Sequence, residues 1–176
     1  MKTPPFSHQV LAGDIPAEGR GYRLQADDEE RRLLAEALGI PEVVSLAAEV
    51  EVRPVRGRAF SVRGSLAAAV VQTDVVTLEP VAQDVAEVID VTLMPAASVV
   101  PRSRQKEILV DAVEADSPDV YHNGRIDLGV IVTEHLALGL DPYPRGPGVD
   151  FPGHVEDDAK EPSPFAVLAK LKPREE

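Results

Sequence analysis

Three consecutive stretches of this chain alternate apolar and polar residues with a period of two, and this restricts the fold more than any other feature. In the first, Val44, Leu46, Ala48, Val50 and Val52 fall on one side and Ser45, Ala47, Glu49, Glu51 and Arg53 on the other. A turn near Arg56-Gly57 leads into the second, where Phe60, Val62, Gly64, Leu66, Ala68 and Val70 share a face opposite Ser61, Arg63 and Ser65. After Thr77-Leu78-Glu79-Pro80 the third groups Val81, Val85, Ile89, Val91 and Leu93, and Pro95 ends it. Successive side chains of a strand point to opposite faces, so each run reads as a half-buried strand. The short Gly-containing turn makes the first two an antiparallel hairpin. Three long neighbouring strands with one apolar face each predict an antiparallel sheet.

Two helices flank these runs. Asp27-Asp28-Glu29-Glu30 opens the first: Asp27 can accept from orphan amides, Glu30 stands at the capping-box distance, and acids suit the positive end of the helix dipole. Leu34 and Leu38 form its apolar stripe, and Gly39 and Pro41 stop it. Asp127 opens the second, which carries Leu128, Ile131, Val132, His135 and Leu136 at helical spacing and ends near Gly139. Ser7 to Ala12 reads as a short strand, with Arg20 to Gln25 as its expected partner. Residues 95–124 have no clean period and read as a mobile loop, with a short strand at Ile108-Leu109-Val110. A Pro-rich segment follows the second helix, and the chain is then acidic through Glu161. Ser163-Pro164, a cap followed by proline at the first helical position, starts a short C-terminal helix. The expected organisation is one domain over 1–148, an acidic linker over 149–162 and a helical box over 163–176. The fold class is α+β: an antiparallel sheet, strongly curved or barrel-like, with two main helices and the short C-terminal one.

Composition then narrows the function. The 176 residues contain no cysteine, which excludes disulfides, thiolate-held zinc, Cys-ligated clusters and thiol nucleophiles. The formal charge is −12, a poor match for broad binding to nucleic acid and an easier one for a basic protein. No stretch approaches the ~18 apolar residues of a membrane span, and the first residues lack the apolar core of a secretory signal, so a cytoplasmic protein is expected. The four histidines, His8, His122, His135 and His154, form no helical metal pair. His154 lies among Asp150, Glu156, Asp157 and Asp158, a solvated acidic linker before it is a cation site. No Walker A loop, dinucleotide fingerprint or nucleophile elbow occurs. Neither catalytic residues, a metal, a cofactor nor a small-molecule substrate is expected.

Three segments are more distinctive: Gln72-Thr73-Asp74-Val75-Val76-Thr77-Leu78-Glu79-Pro80; Gly124-Arg125-Ile126-Asp127-Leu128-Gly129 with Leu138-Gly139-Leu140-Asp141-Pro142-Tyr143-Pro144-Arg145; and Ser163-Pro164-Phe165-Ala166-Val167-Leu168-Ala169-Lys170-Leu171-Lys172. In this order they resemble the YceD family, also called DUF177, the large ribosomal RNA subunit accumulation proteins. The Asp-Pro-Tyr-Pro-Arg form is similar to the alphaproteobacterial branch. The resemblance implies a non-catalytic role in accumulation or processing of large ribosomal RNA and in large-subunit assembly. Many members carry a C-x-x-C before the Leu-Glu-Pro step, and some have further cysteines after the second helix. Here the first pair is Asp74 and Thr77, so a family zinc site does not carry over.

The partner implied is a large-subunit precursor or, as an alternative, a basic ribosomal protein escorted without RNA contact. Phe165, Leu168 and Leu171, with Lys172, form an apolar-basic face on a segment too short to be a stable helix alone, and are candidates for partner binding. The basic trio Arg102, Arg104 and Lys106 is the candidate RNA contact, although no aromatic is interleaved for stacking.

Overall fold

The structure is a computed structural model that describes residues 4–96 and 119–148. Its centre is a five-stranded sheet built from β2 (Arg20–Gln25), β3 (Glu42–Pro54), β4 (Phe60–Thr73), β5 (Pro80–Pro95) and β6 (Asp119–Tyr121), paired in that order. The first four strands are antiparallel neighbours, and β6 lies parallel to β5. A separate two-stranded ladder joins β1 (Gln9–Leu11) to β7 (Arg125–Asp127). Helix α1 (Asp28–Leu38) packs on β3, and α2 (Leu128–Gly139) lies across β4 and β5.

The alternation in the sequence becomes the two faces of this sheet. Val50, Val52, Val62, Leu66, Ile89 and Leu93 are buried on the helix side with Leu34 of α1 and Val132 and Leu136 of α2. Truncating any one of the larger of these to alanine costs roughly 2–5 kcal/mol. The other face is open, and carries small residues such as Ala47, Ala67 and Ala86 in one cross-strand row.

The helix ends form as their residues require. Asp27 Oδ1 accepts from the Glu30 amide at 2.8 Å and Glu30 Oε2 accepts from the Asp27 amide at 3.0 Å, a complete capping box. Gly39 closes α1 in the left-handed region at φ 68°, where a side chain would be disfavoured.

Four expectations change. The strand at Arg20–Gln25 pairs with β3 rather than with the N-terminal strand, because Leu24 joins the core on the same face as Ala48 and Val50. The N-terminal strand instead finds β7, more than a hundred residues away. The sheet is not a closed barrel: β2 and β6 are its two ends and do not pair with each other. Val44 is exposed and Val43 buried, because a bulge between Val43 and Ser45 shifts the register there; the extra residue turns the side chains over. The strand proposed at residues 108–110, the acidic linker and the C-terminal helix lie outside the described residues.

Candidate functional site

The distinctive segments that are described gather at two junctions, and the first lies at the start of α2. Asp127 Oδ1 accepts from the amides of Gly129 (3.1 Å) and Val130 (3.3 Å), which caps the helix. The same carboxylate reaches across to the N-terminal segment, taking the His8 amide at 2.9 Å and the Ser7 hydroxyl at 2.6 Å. The Leu128 amide donates back to the His8 carbonyl at 2.9 Å. Gly129 lets the two backbones approach: a Cβ there would lie 2.7 Å from the Phe6 carbonyl oxygen. The Asp-Leu-Gly step is therefore a docking point for the chain's first strand.

At the second junction the β4–β5 turn meets the segment after α2. Asp74 is buried, with 1% of its surface exposed. Its Oδ1 accepts from the amides of Val76 (2.7 Å) and Thr77 (2.9 Å), which closes the turn, and its Oδ2 accepts from the Gly146 amide at 2.6 Å. The Val75 amide donates to the Pro144 carbonyl at 3.0 Å beside it. The Gly146 amide, and after it that of Thr77, holds the carboxyl below the usual aspartate range, against the opposing effect of burial. Two glutamines complete the joint. Gln83 Nε2 donates to the Gly139 carbonyl (3.0 Å), and its Oε1 accepts from the Asp141 amide (3.2 Å). Gln72 Nε2 donates to the Asp141 carbonyl at 3.0 Å. Backbone groups freed at the end of α2 thus find partners on β4 and β5. Leu78 and Tyr143 stand exposed on the two halves of this joint.

The donor set does not suit the zinc that the family resemblance raises. Asp74 and Thr77 occupy the C-x-x-C positions, but the groups aimed at the carboxylate are amide N–H donors, which repel a cation. Among the described residues no group of three histidines or acids is placed to hold a metal. Hydrogen bonding by one carboxylate joins here the two segments that a shared metal could join.

His135 is half-buried on α2, its Nδ1 2.9 Å from the Ile131 carbonyl. Arg102, Arg104 and Lys106, and likewise Phe165, Leu168, Leu171 and Lys172, lie outside the described residues. Reading the sequence missed the joining role of Asp74. Its one local signal was Asp-Val-Val-Thr, in which an Asp can accept from amides two and three residues on.

A family model described as "Large ribosomal RNA subunit accumulation protein YceD" matches residues 62–172, well over half of the chain. No curated protein and no solved structure matches it.

Proposed function

Because the chain belongs to the YceD family of large ribosomal RNA subunit accumulation proteins, we propose that it serves accumulation of large ribosomal RNA as a non-catalytic assembly factor in the cytoplasm. The family match carries this reading. What supports the non-catalytic part is how the motif side chains are used: Asp74, Asp127 and Gln72 are all engaged in holding backbone. Recognition then falls to exposed surface and to segments beyond the joints. We assign partner contact to Phe165, Leu168, Leu171 and Lys172, and RNA contact to Arg102, Arg104 and Lys106.

The test is sedimentation of the tagged chain with ribosomal precursors, together with depletion in the cell. Co-migration with large-subunit precursors and a fall in large relative to small ribosomal RNA are expected. Free protein in every gradient, with an unchanged RNA ratio on depletion, would overturn the reading.

The charge of −12 favours a second reading, that of an acidic escort for a basic ribosomal protein. Complementary charge of this kind mainly speeds encounter and weakens with salt. Nuclease treatment separates the two: an escort keeps its protein partner after RNA is digested, whereas a factor held by RNA loses it.

A further inference from the structure

Arginines on the open face of the sheet are paired with acids: Arg23 with Glu49, Arg63 with Asp90 and Arg53 with Glu51. At the end of the sheet away from Asp74 this changes. The β3–β4 turn carries Arg56 and Arg58, both exposed, and neither forms an ion pair among the described residues. Gly57 and Arg58 take consecutive positive φ values, 77° and 63°, the pattern of a hairpin turn whose central positions favour glycine or asparagine. An arginine therefore stands where an L side chain is disfavoured. Such outliers gather at functional sites.

The register brings this turn to two other segments. Phe60 pairs with Leu93, and Pro95 pairs with Tyr121. The Tyr121 hydroxyl donates to the Arg58 carbonyl at 2.8 Å, and its ring meets Phe60 edge-on with centroids 5.6 Å apart. The next turn presents His122 and Asn123, both exposed, with Asn123 at φ 54°. Arg58, Tyr121, His122 and Asn123 wall a cavity of about 310 Å³ that no carboxylate lines among the described residues. Two of the three non-glycine residues with positive φ among the described residues stand at this one cavity. Tyr121, His122 and Asn123 also border the neighbouring groove, which Asp119, Asp127, Glu134 and Arg125 wall; Arg58 lines the cavity and not that groove.

We propose that this end of the sheet is an RNA contact, in which Arg58 and Arg56 meet a backbone phosphate and His122 and Asn123 meet the adjoining nucleotide. The inference rests on the assembly reading above and gives it a place on the described domain. RNA is favoured over a protein partner because, among the described residues, guanidinium groups without an ion pair, an imidazole and an amide stand around a cavity that no carboxylate lines, and such groups match phosphate and base edges. The net charge of −12 opposes RNA at long range, so the contact is local and of modest affinity.

The experiment uses the full chain and a fluorescein-labelled transcript of a large-subunit ribosomal RNA fragment, followed by anisotropy at low and physiological salt. The variant pair is R56Q/R58G, in which glycine accepts the positive φ, and thermal melting confirms that it folds. Loss of two phosphate contacts should weaken binding roughly tenfold at low salt and make the salt dependence shallower by about one to two. R23Q, on the ion-paired face, should bind as the wild type does. Equal binding by a folded R56Q/R58G, or no binding by the wild type, overturns the proposal. Co-sedimentation of the same proteins with large-subunit precursors distinguishes the failures. Retained, arginine-independent co-sedimentation overturns the RNA contact alone and points to a protein partner, whereas its absence in the wild type overturns the assembly reading too.

Discussion

A single carboxylate on the β4–β5 turn accepts from amides on two segments, and its two oxygens can be tested separately. D74N keeps Oδ1 for Val76 and Thr77 but turns an NH₂ toward the Gly146 amide, so the turn persists and the joint opens. The variant should melt below the wild type at neutral pH and exchange the Gly146 amide faster. The pH dependence has a definite sign. The folded pKa of Asp74 is depressed, so its contribution is fully present above the unfolded carboxyl value of about 3.9 and fades as pH falls through the folded value. Melting curves of the two proteins should therefore converge in acid; a gap that ignores pH would show that the charge is not what holds the joint. The same amide donors predict that the purified chain carries no stoichiometric zinc. Elemental analysis that finds near-equimolar zinc would overturn this account of Asp74. Residues 74–77 revealed their turn locally, but nothing near them in sequence marks Gly146 as a partner.

Among the elements, α1, β4 and β5 follow their patterns closely, since capping box and alternation are both short-range. Helix α2 begins where Asp127 indicates, yet its docking on the N-terminal segment depends on Gly129, whose part is invisible in helix periodicity. G129A should place a methyl group against the Phe6 and Ser7 backbone and cost about 1–3 kcal/mol by overpacking. Differential melting measures the loss, and faster exchange of the Leu128 amide would locate it. G13A is the control, with nothing near its new Cβ; equal melting of the two variants would remove the close approach as the reason for glycine. The bulge at Val43–Ser45 shows the limit of a period-two reading: one inserted residue exchanges the faces of everything before it.

At the scale of the whole molecule, the described residues form an open sheet with helices on one face and backbone joints at both ends of α2. Ending the chain at Glu161 removes no residue of the described core, so the truncated protein should melt cooperatively near the full chain while losing co-sedimentation with ribosomal precursors. A collapse in melting temperature would make residues 163–172 part of the core. By itself the sequence determined the local properties: three long strands with one apolar face each, two capped helices, the absence of thiolate chemistry and an acidic surface. Each of these is written within a few residues of where it acts. Only the tertiary structure decided that β1 pairs with β7, that β6 joins β5 in parallel, that Asp74 reaches Gly146, and that Arg58 shares a cavity with Tyr121 and His122. Strands of three residues are too short to show a period. Which distant backbone satisfies an edge or an amide depends on how the whole chain packs.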